Sequence, residues 1–198
     1  MSAELSSARV WLNRRRCAEL CDPKAMPVPR RAPVGIDDRP RGDLDRMLES
    51  APDLEPGEIA AMRANYAGNV ALIDEQIGQI FAAISRRGEW DDTVVVLVSD
   101  HGEMNGDAGL IYKSNFLDSA VRVPLLIRVP QQEGGRVCEA PVEWIDIGPT
   151  LVEVAGGEVD YPQFGRSLIP LLENPGAWHR CEAISEHCRE IMLLDQEW

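Results

Sequence analysis

The chain has 198 residues, 44% of them apolar and 27% charged, with a formal net charge of −13. That length supports one domain with a proper core, and the negative charge argues against nucleic acid or an anionic membrane surface as the main partner. The charge is uneven: residues 1–46 hold ten Lys/Arg against seven Asp/Glu, and the remainder ten against twenty-six.

Residues 1–57 are rich in Pro, Arg and Asp, as in "CDPKAMPVPRRAPVGIDDRPRGDLD". Proline removes backbone donors and restricts its predecessor. This stretch therefore reads as an irregular lead-in segment, after a short helix around 9–20. The N-terminus has no apolar h-region, and the longest apolar run near the centre is "VVVLV". No signal peptide or membrane span is read from these features. The chain as given is therefore placed in the cytoplasm, or is exported if the native N-terminus lies upstream. Of five cysteines, Cys17 and Cys21 form C-x3-C, and Cys181 and Cys188 lie far downstream. Neither pair has the companion spacing of a zinc site, so reduced thiols are expected.

Residues 58–198 alternate helix and strand signals. From Ile59 the apolar positions Met62, Tyr66, Val70, Ile73, Ile77, Ile80, Phe81 and Ile84 recur mostly every three or four residues. That spacing predicts a helix over about 58–87, roughly 45 Å long. Pro56 and Glu58 suit its first turn, Arg86 and Arg87 its negative end, and Gly88 its stop. "TVVVLVS" then reads as a strand covered on both faces, as in a parallel sheet. "VPLLIRV" at 123–129 reads as a second strand, "APVEWIDI" as a third and "EAISEH" as a short fourth. Asp146 is placed to cap a helix through "IGPTLVEVA" that ends at Gly156–Gly157. The expected class is α/β with a mainly parallel sheet.

The first strand runs into "VSDHG", residues 98–102. Ligands of open α/β sheets sit beyond the carboxyl ends of strands. Neighbouring residues in a strand point to opposite faces, so Asp100 and His101 can share a ligand only if the chain leaves strand geometry there. Gly102 makes such a turn cheap. A carboxylate beside an imidazole is a reasonable half-site for a divalent cation. A turn after a strand accounts for the same tripeptide.

The longer stretch "SDHGEMNGDAGLIYKSNFLDSAVRVPLLIRVP" resembles the sulfatase family of the alkaline phosphatase superfamily. "YAGNVALIDEQIGQIFAAISRRGEWDDTVVVLVSDHG" is similar to that family's long helix and metal strand. "VEWIDIGPTLVEVAG", "GRSLIPLL" and "AISEH" are similar to its later landmarks, and "LCDPKAMPVPRR" to the loop before the helix. The resemblance covers most of residues 20–187. It implies a partial alkaline-phosphatase-like α/β/α sandwich, with residues 58–198 as the C-terminal part of a catalytic domain. It also implies that Asp100 and His101 are ligands to Ca2+ or Mg2+, and that Lys113 grips the sulfate oxygens. An ammonium is a mobile point charge with three donors, which fits that role. The substrate implied is a small sulfate ester or sulfated sugar.

The family's nucleophile, a formylglycine made from cysteine in Cys-x-Pro-Ser-Arg, has no counterpart here. "CDPKA" at 21–25 lacks the Ser and Arg and precedes the long helix, so Cys21 reads as incidental. Asp37 and Asp38 follow no apolar strand and read as solvated loop residues rather than the family's paired acids. Ala108 stands where many relatives carry a larger residue, and His179 and His187 receive no chemistry. The metal site therefore reads as incomplete and the chain as a truncated or inactive sulfatase-like hydrolase. The alternatives are a phosphodiesterase or phosphonate hydrolase of the same superfamily, or a non-catalytic fragment that keeps the fold. A sheet lacking strands exposes an open edge and apolar surface. The chain is thus expected to self-associate or to depend on a second chain. Size-exclusion chromatography with thermal melting checks this; a clean 22.0 kDa monomer that melts cooperatively contradicts it.

Overall fold

A computed structural model describes residues 19–32 and 42–195, apart from the side chain of Asp43. The helix read at 9–20 falls almost wholly outside these residues, and Cys17, Asp37 and Asp38 lie outside them. Two compact units are present. One takes the described residues up to Thr93 together with Glu103–Lys113; the other takes Val94–Gly102 and the described residues from Ser114 onward.

In the first unit a short helix, α1 (Asp43–Glu49), follows Gly42 within the stretch read as irregular. The long helix, α2, spans Pro56–Arg86. Its start follows from the sequence: Pro56 sits in the first turn, and Glu58 accepts the Glu55 N–H at 2.9 Å. Its end follows too. Gly88 has φ +72, and its N–H donates to the Ser85 carbonyl. The apolar stripe is divided: Tyr66, Val70, Ile73 and Ile80 are exposed, whereas the small Ala64 and Gly68 are buried. Near the C-terminal end of α2, the Phe81 ring meets Trp90 edge-on, with centroids 5.2 Å apart. No described helix is long and apolar enough to cross a membrane.

The second unit holds strands β1 (Val95–Val98) and β2 (Leu125–Arg128), with the four-residue helix α3 (Asp118–Val121) between them. Strands β3 (Ala183–His187) and β4 (Glu190–Leu194) form a hairpin. Both ladders are antiparallel, with Val95 opposite Arg128 and Val98 opposite Leu125 in the first. This corrects the expectation of a mainly parallel sheet for the described strands. A parallel partner needs a crossover, usually a helix laid over the sheet. The connection from Val98 to Leu125 supplies only α3 and one 3-10 turn, and the chain runs back beside itself. Leu97 and Leu126 face each other in register and are both exposed, so β1 is not covered on both faces.

The third strand expected at "APVEWIDI" does not form. Trp144–Asp146 is a 3-10 turn leading into helix α4 (Ile147–Val154), which ends through Gly156 at φ +75. Helix α5 (Ile169–Glu173) follows.

Gly102 is needed for space, not for backbone freedom. It is not among the residues of positive φ, but a Cβ there would lie 2.0 Å from the Ser119 carbonyl oxygen. Its N–H donates to the Ala120 carbonyl at 2.7 Å. The clash is with backbone, which no rotamer change relieves. Gly102→Ala is therefore expected to lower stability by about 1–3 kcal/mol, read as a lower urea midpoint; an unchanged midpoint would show that this contact is loose.

Candidate functional site

Strand β1 stops at Val98, and the chain leaves strand geometry before the Asp–His pair, as sharing one ligand requires. The Ser99 hydroxyl donates to the His101 carbonyl at 2.8 Å, and the Asp100 carboxylate accepts the His101 N–H at 2.9 Å. His101 Nδ1 lies 2.8 Å from the Gly102 carbonyl oxygen. A carbonyl only accepts, so Nδ1 carries a proton and Nε2 is the ring nitrogen left to meet a ligand. Nε2 then stands 3.6 Å from Asp100 Oδ2, and both side chains are substantially exposed.

The pair fits a metal as part of a ligand set. Bonds of about 2.0–2.6 Å from one ion span such a separation, and the Nδ1–carbonyl bond is the usual support of a ligating histidine. Among the described residues no three His, Cys, Asp or Glu side chains gather as a metal cage. Residues 21–25 form a turn, Pro23–Ala25, in which Asp22 accepts the Lys24 N–H; Cys21 is half-buried and free.

Lys113 belongs to the other unit, at the end of its segment Glu103–Lys113, and is exposed. This loop is tightly tied. The Met104 N–H donates to the Tyr112 carbonyl at 2.7 Å and the Gly106 N–H to Leu110 at 2.8 Å. Asp107, 8% exposed, accepts from the Arg30 N–H at 2.8 Å and from Arg63 of α2 at 3.0 Å. Arg63 also donates to the Asn105 carbonyl. These ties hold a strained backbone. Asn105, Ala108, Tyr112 and Ser114 all have φ between +48 and +79. Left-handed conformations of residues with side chains cost about 1–3 kcal/mol each and persist only where neighbours enforce them. Lys113 is flanked by two such residues.

A second polar centre in the Asp100 unit went unread in the sequence. Asp146 does not cap α4 with its side chain; its carboxylate is fully buried. It accepts the N–H groups of Glu143 and Arg166 at 2.8 and 2.7 Å, His179 Nε2 at 3.1 Å, and Arg180 Nη2. Arg180 also pairs with Glu143. Arg166 donates to the His179 carbonyl and lies over the Trp178 ring. His179 is thus buried. The available signal was Asp146 itself, an acid inside the apolar run "WIDIGPTL" that must find donors. His187, at the end of β3, lies 3.5 Å from the Cys188 thiol.

The family model for Sulfatase matches residues 21–157. The chain belongs to the sulfatase family. It is 39% identical over 148 residues to the multifunctional alkaline phosphatase superfamily protein PehA of Trinickia caryophylli, covering 72% of this chain and 29% of that relative. It is 35% identical over 113 residues to an N-acetylglucosamine-6-O-sulfatase of Bacteroides thetaiotaomicron, covering 57% and 20%. The chain thus spans under a third of the length of these curated relatives. Among solved structures, a phosphonate monoester hydrolase from Silicibacter pomeroyi superposes with a TM-score of 0.73 at 34% identity, covering 86% of this sulfatase chain and 36% of that one. The chain therefore carries part of the alkaline-phosphatase-like α/β fold that the sequence implied.

Replacing Asp146 by Ala would leave His179 Nε2 without this acceptor and Arg180 with Glu143 alone. Loss of one partner from a buried ion pair costs about 3–5 kcal/mol. Asp146→Ala is expected to unfold at correspondingly lower denaturant; a loss under about 1 kcal/mol would show that water reaches the cluster.

Proposed function

We propose that this chain contributes metal ligands and an anion-binding lysine to the hydrolysis of sulfuric esters. The observation that carries the reading is the Asp100–His101 pair, in which His101 Nε2 stands 3.6 Å from a carboxylate oxygen while Nδ1 is held by a carbonyl. Membership of the sulfatase family supports it. Asp100 and His101 hold a divalent ion, Ca2+ or Mg2+, as two of its protein ligands. Such an ion acts as a Lewis acid and lowers the pKa of a bound hydroxyl.

Lys113 binds the ester's sulfate oxygens and offsets the negative charge that gathers as the ester bond breaks. The Nδ1–carbonyl bond keeps the His101 ring from rotating, and the tied loop keeps the Lys113 backbone in place. The substrate class is a small sulfate ester or a sulfated sugar, which the N-acetylglucosamine-6-O-sulfatase relative supports. The phosphonate monoester hydrolase likeness supports a second reading, in which the same groups serve a phosphorus ester.

Calorimetric titration of the 198-residue chain with calcium tests the ligands. Two protein ligands leave most positions of a hard cation to water, so a dissociation constant of about 1 mM or weaker is expected. Asp100→Asn and His101→Ala should each remove that binding. Tight binding that survives both substitutions would overturn the assignment. Turnover of an aryl sulfate and of an aryl phosphonate monoester is expected near background, because the sequence holds no Cys-x-Pro-Ser-Arg nucleophile. Real turnover would overturn that part, and its preference between the two esters would decide between the readings.

A further inference from the structure

Three features of the loop bearing Lys113 converge on Glu103, whose side chain is half-buried. First, Glu103 Oε1 accepts the Tyr112 N–H at 2.5 Å and the Asn105 N–H at 3.2 Å. One carboxylate oxygen thus ties the start of the loop to its end. Second, the other side of Tyr112 is held as well, because its carbonyl accepts the Met104 N–H at 2.7 Å. Third, both residues that Glu103 holds have left-handed backbones, Asn105 at φ +48 and Tyr112 at φ +69. A tyrosine does not choose that conformation unaided, so something must enforce it at the residue before Lys113.

From these observations we propose that Glu103 is a positioning residue for Lys113. Its carboxylate fixes the Tyr112 peptide in the left-handed conformation, and that peptide sets the direction in which the lysine leaves the loop. The Arg63–Asp107 pair and the Arg30 backbone anchor the middle of the same loop. Without Glu103 the Tyr112 N–H loses its acceptor, and the neighbouring residue relaxes toward ordinary extended backbone. The ammonium then samples many directions and meets an anion less often in a productive one. This inference rests on the proposed role of Lys113 as an anion-binding group.

The test uses the full 198-residue chain with inorganic sulfate as the probe. Sulfate affinity is read from the NMR shifts of the Lys113 side chain, or by calorimetry in the Lys113→Ala variant. Amide hydrogen exchange is read at Tyr112. Glu103→Ala is expected to weaken sulfate binding by about tenfold, equivalent to about 1.4 kcal/mol, and to expose the Tyr112 amide to exchange. Glu103→Gln keeps an acceptor oxygen at the same reach and is expected to restore both. A merely structural role would not give that selective rescue at unchanged melting temperature. If Glu103→Ala fails to fold, Glu103→Asp decides by the same readouts, since it keeps the charge but withdraws the acceptor. Sulfate binding weakened by Lys113→Ala but untouched by the Glu103 substitutions would overturn the positioning role. No weakening by Lys113→Ala would instead overturn the lysine's anion-binding role, and with it the inference.

Discussion

A carboxylate withdrawn from water is tolerable only when donors surround it, and each compact unit is organised around one. In the first unit Asp107 gathers the Arg30 backbone and the Arg63 guanidinium, tying an irregular segment and the long helix to the lysine loop. In the second, Asp146 gathers the Arg166 backbone, His179 and Arg180 around the start of α4. Both acids lie in turns where hydrophobic burial alone specifies little. Their donors come from distant parts of the sequence, so meeting the charge and closing the chain path are one event.

How far this could be read beforehand depended on whether the controlling interaction was local. The ends of α2 were legible because Pro56, Glu58 and Gly88 act within a turn of themselves. The strands at "VVLV", "LLIR" and "AISEH" were legible because branched and apolar runs favour extended chain. The break after Val98 is where strand geometry had to end if Asp100 and His101 were to share a ligand. Strand direction was not legible: a short apolar run looks the same whichever way its partner runs. The "WIDI" segment misled because its apolar residues serve a 3-10 turn and a helix start instead of a strand. His179 and Glu103 were missed for a related reason, since their partners lie 33 and 9 residues away and no periodicity links them. Gly102 was singled out correctly but for the wrong property, because the Ser119 carbonyl that excludes a side chain is unseen in the sequence.

The family likeness and the physical reading contribute different things. The match over residues 21–157 places the chain among sulfatases. It does not explain why His101 presents Nε2 and not Nδ1; the hydrogen bond to Gly102 does. Nor does it explain why Lys113 sits between two residues of unfavourable backbone.

That last feature sets a direction for laboratory evolution. Glycine at 112 or 114 would ease the left-handed backbone, although it would also enlarge the freedom of the unfolded chain. Selection for heat tolerance alone has reason to relax this loop, whereas selection for a firm hold on a small anion has reason to keep it taut. The two pressures meet on the same few residues, and a variant library confined to 103–114 would separate them.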